Sequence, residues 1–112
     1  MLKKHLKKNE YQALADFRKS LTRKFPGEVL SLKLFGSKAR GDFHKESDID
    51  VLIILKKKSK KVEDFILDLT LELLRKYGIL ISPIIFSKKE VSEYKKIPSI
   101  FLQIVEREAI PL

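Results

Sequence analysis

The apolar positions of the chain switch between a helical and a strand period, and the switches mark its elements. From Tyr11 to Phe25, Leu14, Phe17, Leu21 and Phe25 recur at spacings of three and four, with Arg18, Lys19, Arg23 and Lys24 between them. That spacing predicts an amphipathic helix, ended by Pro26-Gly27. Val29 to Phe35 then alternates as a strand does, with Leu30, Leu32 and Leu34 on one face and Ser31 and Lys33 on the other. After a polar loop, Asp48 to Leu55 is apolar on both faces beyond its aspartates, the pattern of a strand in the middle of a sheet and covered on both sides.

The lysine run Lys56 to Lys61 leaves the core, and a helix is expected to follow to about Tyr77, with Val62, Phe65, Ile66, Leu69 and Leu73 as its buried stripe and Gly78 as its stop. Ile79 to Phe86 reads as a third strand, in which Pro83 removes a ladder donor and so predicts an edge or a bulge. Ser87-Lys88-Lys89-Glu90 has the form of a capping box opening a short helix. Pro98 can open a last helix carrying Ile100, Phe101, Ile104 and Val105, before Ala109-Ile110-Pro111-Leu112 trails off. This order of elements predicts an α+β fold, one domain spanning residues 1–112, built on a small mixed sheet of three or more strands with helices packed against it. Residues 1–8 form a basic N-terminal segment that is free to be mobile.

Composition narrows the chemistry. The chain is 44% hydrophobic and 35% charged, the balance of a globular domain. It has no cysteine, which excludes disulfides and thiolate metal sites, and its two histidines, His5 and His44, are too far apart in sequence to suggest a metal pair, so any metal is expected to be held by oxygen. No apolar run approaches the ~18 residues that span a bilayer, and a cytoplasmic location is expected. The net charge of +9 is compatible with a nucleic-acid partner, through Lys56 to Lys61 for example, but a solvated lysine-rich surface is the simpler reading. Abundant Lys, Glu and Ile with a single asparagine also resemble the composition of heat-adapted proteins.

The candidate chemistry lies between Phe35 and Val51. Asp48 and Asp50 open a strand and project from one face of it, roughly 7 Å apart at their Cα atoms. Two carboxylates held side by side repel each other, and a cation is the usual compensation. Magnesium fits best, since it takes oxygen ligands and completes its shell with phosphates and water. If the strand ending at Phe35 pairs antiparallel with the one starting at Asp48, Ser37 becomes a neighbour of Asp48. Gly36 would let a phosphate approach the backbone, the following amides and the Ser37 hydroxyl would donate to it, and Arg40, less readily Lys38, would add charge. A Walker loop is excluded: Gly36 to Gly41 has the glycine spacing, but Asp42-Phe43 stands where Lys and Ser/Thr are required. Asp42 and Ser47 suit local turn hydrogen bonds, and His44 suits a polar loop.

Gly36-Ser37, ten residues, then Asp48-Ile49-Asp50, together with Ala39-Arg40-Gly41 and Ser47, resembles the signature of the minimal nucleotidyltransferases of the DNA polymerase β superfamily. The resemblance covers nearly the whole chain. It implies that Asp48 and Asp50 hold Mg²⁺, that Gly36 and Ser37 grip the phosphates of ATP, and that AMP is transferred to an acceptor hydroxyl with loss of pyrophosphate. Small members of this family are commonly encoded beside a HEPN-domain protein and act as the antitoxin of a toxin–antitoxin pair, some by transferring AMP to the toxin. The resemblance therefore implies a HEPN-domain toxin as partner; oligomeric state stays open.

One departure stands out. Many members of the superfamily carry a third carboxylate on the third strand, and between Gly78 and Ser87 this chain has no Asp or Glu. Ser82 or a neighbour takes that position, and Glu90 would have to reach back from the next helix. A catalytically degenerate antitoxin that acts by binding alone is the alternative this departure supports. Phe101 and Ile104 on the last helix are a candidate partner surface.

Overall fold

The computed structural model describes residues 6–35, 48–96, 107 and 109–112. In chain order they form α1 (Lys8–Lys24), β1 (Val29–Phe35), β2 (Ile49–Leu55), α2 (Lys60–Tyr77), β3 (Ile81–Ser87), α3 (Lys88–Lys96) and β4 (Ile110–Pro111). The strands make one mixed sheet in the order β3-β2-β1-β4. β1 pairs antiparallel with β2 and with β4, while β2 and β3 run parallel. The fold class is α+β, and the parallel β2-β3 pair is joined through α2, as a parallel connection requires.

The core lies between α1 and α2 and one face of the sheet. Ala13, Leu14, Phe17 and Leu21 of α1 and Val62, Ile66, Leu69 and Leu73 of α2 meet Leu32 and Leu34 of β1, Ile49, Val51, Ile53 and Leu55 of β2, and Ile81 of β3. Alternation along β2 thus turns its odd-numbered residues toward the helices and Asp50, Leu52 and Ile54 to the other face. Leu52 is buried there as well, in keeping with the central place of β2. Phe25 and Phe65 close the junction of the two helices with an edge-to-face contact, ring centroids 5.3 Å apart.

Helix limits follow from caps. α1 begins three residues before the expected Tyr11, because the Glu10 carboxylate accepts the Lys7 amide at 2.8 Å and closes the first turn. α2 begins inside the lysine run: Ser59 takes the N-cap, its hydroxyl accepting the Val62 amide at 3.2 Å, so Lys60 and Lys61 are helical. It ends at Gly78, in the left-handed region at φ 69°, whose amide donates to the Leu74 carbonyl at 2.8 Å. The expected capping box before α3 is present in both directions, the Ser87 amide to Glu90 Oε1 at 3.0 Å and the Glu90 amide to Ser87 Oγ at 3.1 Å.

Two expectations are corrected. Leu30 does not face the core with Leu32 and Leu34; it is 47% exposed. A β-bulge between Val29 and Ser31 breaks the alternation and puts Val29 against the core instead. The end of the chain does not trail off. Ile110 and Pro111 pair with Leu34 and Lys33, and the Leu112 amide donates to the Leu32 carbonyl at 3.0 Å. Pro111 is tolerated because β4 is an edge strand. Pro83 is explained in the same way, with β3 at the opposite edge and no bulge in its pairing with β2. The expected helix after Pro98, with Phe101 and Ile104, lies outside the described residues, as does most of the basic N-terminal segment.

Candidate nucleotide-transfer site

The register of the sheet builds the site. Asp50 pairs with Phe35 of β1 on one side and with Ser82 of β3 on the other, so these three residues form one row across three strands. Side chains of a row project from the same face, and for Asp50 that is the face turned away from α1 and α2. Asp48, two residues earlier, stands exposed at the mouth of β2, while Asp50 is half-buried. The Ile49 amide donates to the Leu80 carbonyl at 3.0 Å, which fixes the backbone between the two aspartates against the start of β3.

Gly36, Ser37 and Arg40 lie outside the described residues, as do Lys38, Asp42, His44 and Ser47. What the structure does place is the residue that leads into them. Phe35 pairs with Asp50, so the chain enters Gly36-Ser37 from beside the two carboxylates, in the antiparallel arrangement expected from the sequence.

Ser82 occupies the position beside Asp50 on the third strand, and its hydroxyl donates to Asp48 Oδ2 at 3.2 Å. The sequence singles out Ser82 by the absence of an acid on β3; the bond to Asp48 follows only from the parallel register. Glu90 cannot take the place of a third carboxylate. It sits beyond the far end of β3, and five residues from Ser82 to Ser87 at about 3.3 Å each put it some 16 Å along the strand. Its carboxylate is held there by the Ser87 amide and by Lys58 Nζ at 3.1 Å, and the Ser87 amide, followed by Lys58, keeps it more acidic than an ordinary glutamate.

Among the described residues no group of three Asp, Glu or His is placed to hold a metal ion. Asp48 and Asp50 are a pair of hard oxygen donors, and this suits a cation that takes one or two carboxylates and draws its remaining ligands from phosphates and water. A groove lined by Tyr11, Leu14, Ala15, Arg18 and Leu112 has no Asp or Glu in its lining. It borders α1 and the residue after β4, and is separate from Asp48 and Asp50.

The architecture is shared with solved structures. One described as a toxin-antitoxin with AMP-PNP superposes with a TM-score of 0.57 at 17% identity, over 86% of this chain and 69% of that one. Another, "Structure of putative minimal nucleotidyltransferase", gives 0.56 at 22% identity over 90% and 94% of the two chains. At these identities the likeness is one of fold. Sequence goes further: "Putative protein adenylyltransferase MJ0604" of Methanocaldococcus jannaschii is 41% identical over 81 residues, 72% of this chain and 77% of the relative. A second relative from that organism, "Putative protein adenylyltransferase MJ0141", is 38% identical over 78 residues, 69% of this chain and 79% of its own length. The family model for the nucleotidyltransferase domain matches residues 14–109, and this chain belongs to that family.

Proposed function

We propose that this protein is a Mg²⁺-dependent nucleotidyltransferase that moves AMP from ATP to a hydroxyl of a partner protein, a HEPN-type toxin for which it serves as the cytoplasmic antitoxin. The observation that carries the reading is the row Phe35–Asp50–Ser82, which with Asp48 sets two carboxylates on the sheet face turned away from α1 and α2, beside the point where β1 enters Gly36-Ser37. The protein-adenylyltransferase relatives support the transfer, and the fold shared with a toxin–antitoxin structure containing AMP-PNP supports the nucleotide and the partner.

Asp48 and Asp50 would hold the metal, which when bound neutralises charge on the triphosphate. Gly36, Ser37 and Arg40 would bind the phosphates. Ser82 would fix the Asp48 carboxylate through its hydroxyl, leaving the other oxygen of that group for a ligand. The acceptor oxygen forms a bond to the α-phosphorus, the bond to the β-phosphate oxygen breaks, pyrophosphate leaves, and the acceptor proton passes to a base. With Ser82 where an acid would stand, that base is supplied by water or by the partner. The chain's own contribution is chiefly to position the reactants.

A second reading has one observation behind it. Ser82 is the neighbour of Asp50 on β3, and Glu90 is tied to Ser87 and Lys58 at the other end of the strand. An antitoxin that neutralises its partner by contact alone would need no third carboxylate. Incubating the purified chain with labelled ATP, Mg²⁺ and the product of the adjacent gene separates the two. Label on the partner that disappears with Asp48→Asn and Asp50→Asn supports transfer. No label with the unaltered chain, together with rescue of toxin-expressing cells by the doubly substituted chain, establishes contact alone.

A further inference from the structure

α2 carries a second apolar stripe that the core does not use. Leu67, Leu71 and Leu74 are 58%, 45% and 38% exposed, whereas Ile66, Leu69 and Leu73 of the same helix are buried. At 100° per residue the three exposed leucines fall within about 60° of arc, so they form a continuous ridge along the helix. Asp68 and Arg75 lie together on one flank of that ridge, and Asp64 continues the flank toward the helix start. Neither Asp68 nor Arg75 has an ion-pair partner among the described residues.

The order of these residues is self-complementary. Counted from Leu71, Leu67 and Asp68 stand four and three positions before it, and Leu74 and Arg75 stand three and four positions after it. When two such helices lie antiparallel about a twofold axis at Leu71, each leucine meets a leucine and each Asp68 meets an arginine. Residues on one flank of an antiparallel pair face the same flank of the partner, so both ion pairs form together. In a chain of net charge +9 two copies repel over most of their surface. The flank of the ridge carries Asp64 and Asp68 against Arg75, so it adds no net positive charge to that repulsion.

We infer that the occupant of this ridge is a second copy of the chain, in an isologous dimer in which α2 packs antiparallel on α2. Leu71 packs on the partner's Leu71, Leu67 on the partner's Leu74, and Asp68 pairs with the partner's Arg75. Because Asp50 points to the sheet face opposite α2, the dimer contact lies away from both Asp48–Asp50 pairs. A contact along one helix buries on the order of 1,000 Å² in total, near the lower limit for specific interfaces, so association is expected in the micromolar range. The inference is independent of nucleotide transfer.

Sedimentation equilibrium of the purified full chain across that concentration range is the test. The unaltered chain should pass from monomer to dimer, and Leu71→Glu, which sets two carboxylates against each other at the axis, should weaken association at least about tenfold. Asp68→Arg and Arg75→Asp should each be monomeric alone, while a mixture of the two should form a heterodimer, since Arg meets Asp in both ion pairs only in the mixed pair. Circular dichroism of each variant establishes that it is folded. A monomeric unaltered chain, including one that binds only a different protein through this ridge, overturns the inference, as does a dimer indifferent to Leu71→Glu or charge variants that fail to recombine.

Discussion

Replacing Gly78 with alanine should destabilise the protein through backbone conformation alone. Gly78 ends α2 at φ 69°, ψ 22°, and a Cβ built there meets no atom within 4 Å. Packing therefore contributes nothing to the cost. An L-residue in the left-handed region loses roughly 1–2 kcal/mol, and the lower entropy of the unfolded alanine chain returns about 0.4–1 kcal/mol, leaving a net loss near 1 kcal/mol. At about 2.1 cal/mol/K of unfolding entropy per residue, a chain of 112 residues should lose about 4 °C of Tm. Asparagine, which tolerates this region, should lose about half as much. D-alanine, introduced by chemical synthesis, prefers positive φ and should raise Tm instead. Thermal unfolding followed by circular dichroism reads all three. Equal shifts for L- and D-alanine would refute the argument, because a steric or solvation cause is blind to the sign of φ.

Two further outcomes follow from polar contacts away from the site. The Tyr77 hydroxyl donates a short hydrogen bond to Asp16, and with Lys76 Nζ at 3.3 Å it holds that carboxyl below the usual carboxylate range despite some opposing desolvation. A depressed folded-state pKa adds stability that is present above the unfolded value, near 4, and is lost as pH falls through the folded one. Tyr77→Phe should raise the Asp16 pKa in an NMR titration and flatten the fall in stability below about pH 4; an unchanged titration would show that the bond is not formed in solution. Ser87→Ala removes the hydroxyl that caps α3 and should cost about 1 kcal/mol in denaturant unfolding, with a smaller loss for Lys58→Ala, whose partner Glu90 keeps the Ser87 amide.

The elements most legible in the sequence are those whose period was uninterrupted. α1, β2 and α2 each carry a long apolar repeat, and their buried residues are those the repeat names, apart from Glu10, Ala13 and Thr70. Leu30 was misplaced because a bulge adds a residue without changing composition, and strand alternation carries no mark of it. β4 was missed because two residues have no period at all; they become a strand only through the open edge of β1. Of the candidate site, Asp48 and Asp50 were visible as chemistry before any register was known, and the antiparallel β1-β2 pair follows from their order. The bond from Ser82 to Asp48 joins residues 34 positions apart through a parallel pairing, and no local pattern encodes it. Gly36, Ser37 and Arg40 rest on the sequence alone.

The apolar residues around Asp50 help to fix its position. Ile49 and Val51 on either side of it are fully buried against the helices, as is Ile81 beside Ser82. Slipping β2 by one residue would turn those side chains to the opposite face and drive Asp50 into the core between α1 and α2. An ionised carboxylate there costs several kcal/mol, far more than any gain from new pairing, so the register is held from both directions. The same slip would separate Asp50 from Phe35 and Ser82, breaking the row that aligns the two carboxylates with the entrance to Gly36-Ser37. In this chain the hydrophobic pattern that makes the sheet fold is thus also the device that aims the aspartates. A variant that weakens packing at Ile49 or Val51 acts on the site even though neither side chain projects from its face of the sheet.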